Sequence, residues 1–140
     1  MNTTVEETLV LVKPDGVARN LTGEILRRIE AKGYSLVDVK LVEPDRSLLA
    51  AHYAEHEGKP FFEPLVEFME SGPIVAFRVA GNRVIEGFRA LAGTTDPTTA
   101  APGTIRGDLG RDWGSKVQQN LVHGSDSPES AARELALWFD

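Results

Sequence analysis

Thr8 to Val12 reads TLVLV, an uncharged run of β-branched and leucine residues closed at once by Lys13-Pro14-Asp15-Gly16. A run this short and apolar is a buried strand, and the residues after it carry the chemistry of a tight turn. Such a strand must be covered by the rest of the chain. With 140 residues, 41% of them hydrophobic and 26% charged, the chain can build a core of its own and is not a disordered protein. That length fits one domain over residues 1–140.

Leu21, Ile25 and Ile29 recur every fourth residue and Gly33 follows, which predicts an amphipathic helix with a glycine stop. Ser35 to Val42 alternates, with Val37, Val39 and Leu41 on one face and Asp38 and Lys40 on the other, predicting a half-buried strand. Ser47 is placed to cap a helix through Leu48, Leu49 and Ala51, and a second helical stretch runs from Phe61 to Met69. Ile74 to Val79 reads as a third strand and Val84 to Leu91 as another helix. Gly93 to Gln118 then forms a glycine- and proline-rich connection, long enough to be functional. Leu121-Val122 marks a fourth strand, and Ser127-Pro128 opens a last helix that buries Ala131, Leu135 and Trp138. This order of elements fits either α+β or α/β.

The charge balance is 15 Lys+Arg against 21 Asp+Glu, a net −6, which argues against broad contact with nucleic acid or anionic membranes. With no cysteine, disulfides and thiolate metal sites are excluded, and a reducing cytoplasm is the expected setting. The N-terminal MNTTVEETLVLVKPDG places acids before a very short apolar run and is not read as a secretory leader.

His52 and His56 lie in HYAEH, a match to the H-x-x-E-H pattern of inverted zinc peptidases. Two histidines and a glutamate in an acid-rich chain match it easily by chance, so a partly exposed helix face is the expectation. His123 ends a short apolar strand before Gly124-Ser125-Asp126-Ser127. Neutral imidazole is a good nucleophile, a neighbouring carboxylate can fix its tautomer, and Gly124 clears bulk for a substrate. A strand-end histidine bonded to a loop is the competing reading. Lys13, Arg89 and Arg106 all adjoin turns or glycines, with Thr94 and Thr95 nearby, and in an acidic chain they point to one anion site. No GxxxxGK[ST] loop is present, so side chains rather than a P-loop would hold phosphates.

Asn120 to Ser127, NLVHGSDS, closely resembles the active-site signature of nucleoside diphosphate kinases. The resemblance spans nearly the whole chain: TLVLVKPDGV at 8–17, HYAEHEGKPFF at 52–62, SGPIV at 71–75, PGTIRGD at 102–108 and Trp138-Phe139. It implies an α+β, ferredoxin-like βαββαβ fold with a four-stranded antiparallel sheet covered by helices and a long loop before the last strand. It also implies transfer of a γ-phosphoryl group from ATP or another nucleoside triphosphate to a nucleoside diphosphate, by a ping-pong route through a phosphohistidine at Nδ1 of His123. By position, Phe61 would stack on the base, Lys13 and Asn120 would meet the ribose hydroxyls, and Arg89, Thr95 and Arg106 would hold phosphates. Tyr53 would stand near the nucleophile, Ser125 and Glu134 would orient it, and His56 would face the phosphates. Mg²⁺ would arrive on the nucleotide without protein ligands, and base tolerance would be broad, since every base has a π-face. The resemblance further implies a cytoplasmic homo-oligomer, tetramer or hexamer, of the short bacterial type, with no stable nucleic-acid or membrane partner. The segment Gly110 to Val117 is longer than most relatives carry.

Overall fold

The computed structural model describes residues 5–139; Met1 to Thr4, the start of the stretch read as no leader, and Asp140 lie outside them. Strand β1 (Val5–Val12) enters helix α1 (Pro14–Ala18) and then α2 (Thr22–Ala31), and β2 (Ser35–Val42) follows. Helices α3 (Arg46–His52) and α4 (Phe62–Met69) precede β3 (Ile74–Asn82) and α5 (Val84–Ala92). A short α6 (Ile105–Leu109), β4 (Val122–Gly124) and α7 (Pro128–Phe139) complete the chain. The strands lie in the order β2-β3-β1-β4, and every neighbouring pair is antiparallel. This is the expected α+β ferredoxin-like frame.

The sheet is buried on both faces at β1, which explains the unbroken TLVLV run. Val10 and Val12 pack with Ile25, Ile29, Phe77 and Phe88 under α2 and α5. Leu9 and Leu11 pack on the other face with Leu49, Val66, Met69 and Trp138, beneath α3, α4 and α7.

Several local expectations are corrected. The KPDG stretch is not a bare turn but the start of α1, with Pro14 at the first helical position, where its missing N–H costs nothing. Asp45, not Ser47, caps α3: its carboxylate accepts from Leu48 N at 2.8 Å, and Ser47 Oγ donates to that same carboxylate. The long connection contains α6, capped by Thr104. The fourth strand starts at Val122 rather than Leu121. Most telling is β2, expected to be half-buried. Val37, Val39 and Leu41 are 51%, 52% and 70% exposed. The strand lies at the sheet edge, its register shifts between Leu36 and Asp38, and only Leu36 of β2 packs against the core under α2 and α5.

Candidate active site

β4 pairs with β1 so that His123 sits opposite Leu11, and the chain reaches β4 through a contorted turn. Val122 N donates to Asn120 O at 2.8 Å, across Leu121 at φ 73. This is a γ-turn with a positive central φ, a strained conformation for a residue with a side chain. Neighbouring groups fix it: Lys13 N donates to Leu121 O at 2.8 Å, and Leu121 N to Asp15 Oδ2 at 3.1 Å. Arg106 donates to Asn120 O, Gly93 O and Val122 O at 3.0, 2.9 and 2.7 Å. The turn thereby holds Asn120 and His123 in fixed relation to Lys13.

His123 Nε2 lies 2.8 Å from Glu134 Oε1, and Ser125 Oγ donates to the same oxygen at 2.7 Å. Burial pushes the Glu134 carboxyl up, but hydrogen bonds from His123 and Ser125 outweigh it and leave the group below its ordinary value. An ionised carboxylate can only accept, so Nε2 carries the proton and Nδ1 keeps its lone pair. Among the described residues Nδ1 has no hydrogen-bond partner. His123 lines two adjoining cavities that share Lys13, Thr95, Asn120 and His123.

One cavity, of about 360 Å³, is the polar one, with Arg89, Arg106 and His56 in its wall and, among the described residues, no carboxylate. Lys13 Nζ donates to Asn120 Oδ1 at 2.9 Å, and Asn120 Nδ2 donates to Thr95 O at 3.0 Å. Burial, then the nearby Arg106 charge, lowers Lys13 to about 8 against a smaller opposing pull from Asp15. Burial and Arg89 lower Arg106 to about 10, which leaves it charged. Arg89 donates to Gly124 O at 3.2 Å and is exposed. The other cavity, of about 620 Å³, is more apolar, and Tyr53 and Phe61 line it. Phe61 is 49% exposed, and the Tyr53 ring is buried, which pushes its hydroxyl up.

The structure thus brings together all eleven residues expected to serve the site, with Glu134 reaching His123 from the middle of α7. Gly124 plays a different part from the one expected. A Cβ there would meet Phe88 Cδ2 at 2.6 Å, so the glycine accommodates α5 rather than an incoming substrate. The HYAEH pair is not a two-histidine metal face, because α3 ends at His52 and His56 lies in a separate 3-10 turn.

His52, expected on a partly exposed helix face, is the residue whose role sequence reasoning missed. It is buried, its Nδ1 accepts from Trp138 Nε1 at 3.0 Å, and its ring meets the His123 ring edge-to-face at 4.7 Å. Burial, then the His123 charge, lowers it to about 3, so it stays neutral. Its spacing from Leu48 and Leu49 was the available signal, since a residue three or four beyond two apolar ones shares their helix face. Asp15, which braces the turn, was also passed over; burial raises its carboxyl despite Lys13.

Comparison with known proteins places the chain among its relatives. The family described as nucleoside diphosphate kinase matches residues 6–140. A nucleoside diphosphate kinase of Mycolicibacterium vanbaalenii is 62% identical over 135 residues, 96% of each chain. One from Streptomyces avermitilis is 59% identical over the same share of both. Among solved structures, a halophilic nucleoside diphosphate kinase from Halobacterium salinarum in complex with CDP superposes with a TM-score of 0.91 at 48% identity, covering 98% of this chain and 89% of that one. A nucleoside diphosphate kinase family protein from Babesia bovis gives 0.89 at 47% identity, covering 96% and 88%.

Proposed function

The chain belongs to the nucleoside diphosphate kinase family, and from that premise we propose that His123 carries the phosphoryl group between nucleotides in a ping-pong cycle. The observation that carries this reading is the Nε2 contact with Glu134, which leaves Nδ1 as the nucleophile. Nδ1 attacks the γ-phosphorus of a nucleoside triphosphate, the bond to the bridging oxygen breaks, and the nucleoside diphosphate departs. A second diphosphate then attacks the phosphohistidine through its terminal oxygen, and the N–P bond breaks to return the neutral imidazole. Glu134 balances the positive charge that the ring gains while it is phosphorylated.

Lys13, charged below about pH 8, meets the charge that develops on the moving phosphoryl group and, with Asn120, the ribose hydroxyls. Arg89 and Thr95 hold phosphates. Arg106 also holds phosphate while bracing the turn, because each of its three nitrogens serves a carbonyl and its two amino nitrogens each keep a second N–H. Tyr53 and Ser125 keep the imidazole in place. Phe61 supplies a stacking face without base-edge donors of its own, which admits all bases. Among the described residues no carboxylate lines the phosphate cavity, so its wall suits Mg²⁺ held by the nucleotide's phosphates rather than by protein ligands. Bound there, the ion would neutralise phosphate charge.

We also read residues 1–140 as one catalytic domain acting on cytoplasmic nucleotides. The net charge of −6 opposes nucleic-acid binding, and no helix among the described residues is long and apolar enough to cross a membrane. An edge strand exposing Val37, Val39 and Leu41 is a surface that folded proteins normally cover, which supports a homo-oligomer, tetramer or hexamer.

The test mixes the protein with ATP and Mg²⁺, quenches at alkaline pH and reads the intact mass. One added phosphoryl group, absent in His123→Ala and discharged by GDP to form GTP, is the expected result. An unmodified mass in folded, ATP-binding protein would overturn the phosphohistidine route.

A further inference from the structure

The segment Gly110 to Val117 does not simply loop away from the site. Its last residues, Lys116 and Val117, together with Gln118, line the same cavity as Phe61. A base stacked on Phe61 therefore has Lys116 within the wall of its slot. Of the three, Gln118 already donates its amide to Asp96 Oδ1 at 3.2 Å. Lys116 is exposed and has no hydrogen-bond or ion-pair partner among the described residues. The only other lysine in this wall, Lys13, is bonded to Asn120 on the phosphate side. The slot thus holds one free ammonium, carrying three donors and no acceptor.

We propose that Lys116 biases the nucleotide site toward bases that present a carbonyl oxygen at their outer edge, guanine, hypoxanthine and uracil, over adenine and cytosine. A guanine edge offers the O6 and N7 acceptors, to which lysine bonds well, whereas adenine replaces O6 with an amino donor that an ammonium cannot accept from. The same exchange separates uracil O4 from the cytosine 4-amino group. Stacking on Phe61 still admits every base, so the effect is a graded preference within a tolerant site. It rests on the reading of Phe61 as the stacking face.

The experiment discharges preformed phosphoenzyme with GDP, IDP, ADP, UDP and CDP in single turnovers, for wild type and Lys116→Met. IDP carries O6 without the 2-amino group and so isolates the oxo contact. The expected wild-type preference, GDP and IDP over ADP and UDP over CDP, is about three- to tenfold in second-order rate for an exposed lysine. In Lys116→Met the ratios should fall to near one while discharge by ADP and CDP is kept. Ratios unchanged by the substitution would overturn the proposal. So would an equal loss for all five acceptors, which would make Lys116 a general phosphate attractor. If no phosphoenzyme forms in wild type, the phosphohistidine route fails instead, and equilibrium binding of the same five diphosphates to both proteins decides the base preference by the same ratios.

Discussion

Glu134 Oε1 stands 2.8 Å from His123 Nε2 and receives the Ser125 hydroxyl at 2.7 Å, so one buried carboxylate oxygen sets both the tautomer and the tilt of the imidazole. Glu134→Gln keeps the shape and removes the charge, and phosphoenzyme formation should slow on the order of 100-fold in rapid-quench measurements with the fold intact. The same carboxyl ties stability to pH. Its folded value lies below its unfolded one, so the native state holds fewer protons there. Its stabilisation is present above the unfolded value, about 4.3, and is lost as pH falls through the folded one. Thermal melts of wild type and Glu134→Gln should therefore converge on acidification.

Lys13 is lowered as well, so stability again rises with pH, but here the buried charged form is the unfavourable one and the window is alkaline. Its folded value of about 8 lies below the ordinary 10.5, so the unfolded chain binds the proton more tightly. Burying the charged amine therefore costs stability at neutral pH, and the cost fades as pH rises from about 8 toward 10.5. Activity needs the charge and moves the other way. A kcat profile should fall with an alkaline limb near pH 8 while the melting temperature, referenced to Lys13→Met, rises over the same range. Lys13→Met itself should lose phosphoryl transfer by about 100-fold or more.

The fold was legible wherever burial was two-sided or periodic. TLVLV marked the central strand because both its faces are covered, and Ser127-Pro128 marked the last helix because Ser127 Oγ accepts from Ser130 N at 3.1 Å. The five-residue helices α1 and α6 were not legible, since neither is long enough to show a period. The β2 alternation told which residues share a face but not whether anything covers it. At the site, residue types pointed to His123 and the cations, and the family motifs added Glu134 and Phe61. His52 escaped because its partners, Trp138 and His123, come from distant elements that only packing brings together.

That packing makes His52 a source of acid sensitivity. Burial holds it at about 3 against an ordinary 6.5, so in the window between those values the unfolded chain takes up a proton that the native state refuses. Stability is lost as pH falls below 6.5. His52→Gln keeps an acceptor for the Trp138 indole and does not titrate. Its melting temperature should drop less than that of wild type between pH 6.5 and 4.5, and equal drops would locate the acid sensitivity elsewhere.

Gly124 links the nucleophile to the core. Its missing Cβ leaves room for Phe88, whose ring would otherwise lie 2.6 Å away, and its carbonyl receives Arg89. Phe88 on α5 is fully buried against β1 and β4 and cannot retreat without disturbing Val10, Val12 and Val122. Gly124→Ala should therefore destabilise the fold by about 1–3 kcal/mol in denaturant melts. Relief comes most readily by shifting β4, which ends just past His123, so phosphoenzyme formation should fall too. The added methyl would point at Phe88, so a rate loss at unchanged nucleotide affinity would show that the alanine acts by displacing the imidazole. Pairing Gly124→Ala with Phe88→Leu should restore part of both stability and rate, because the smaller side chain vacates the space that the methyl needs.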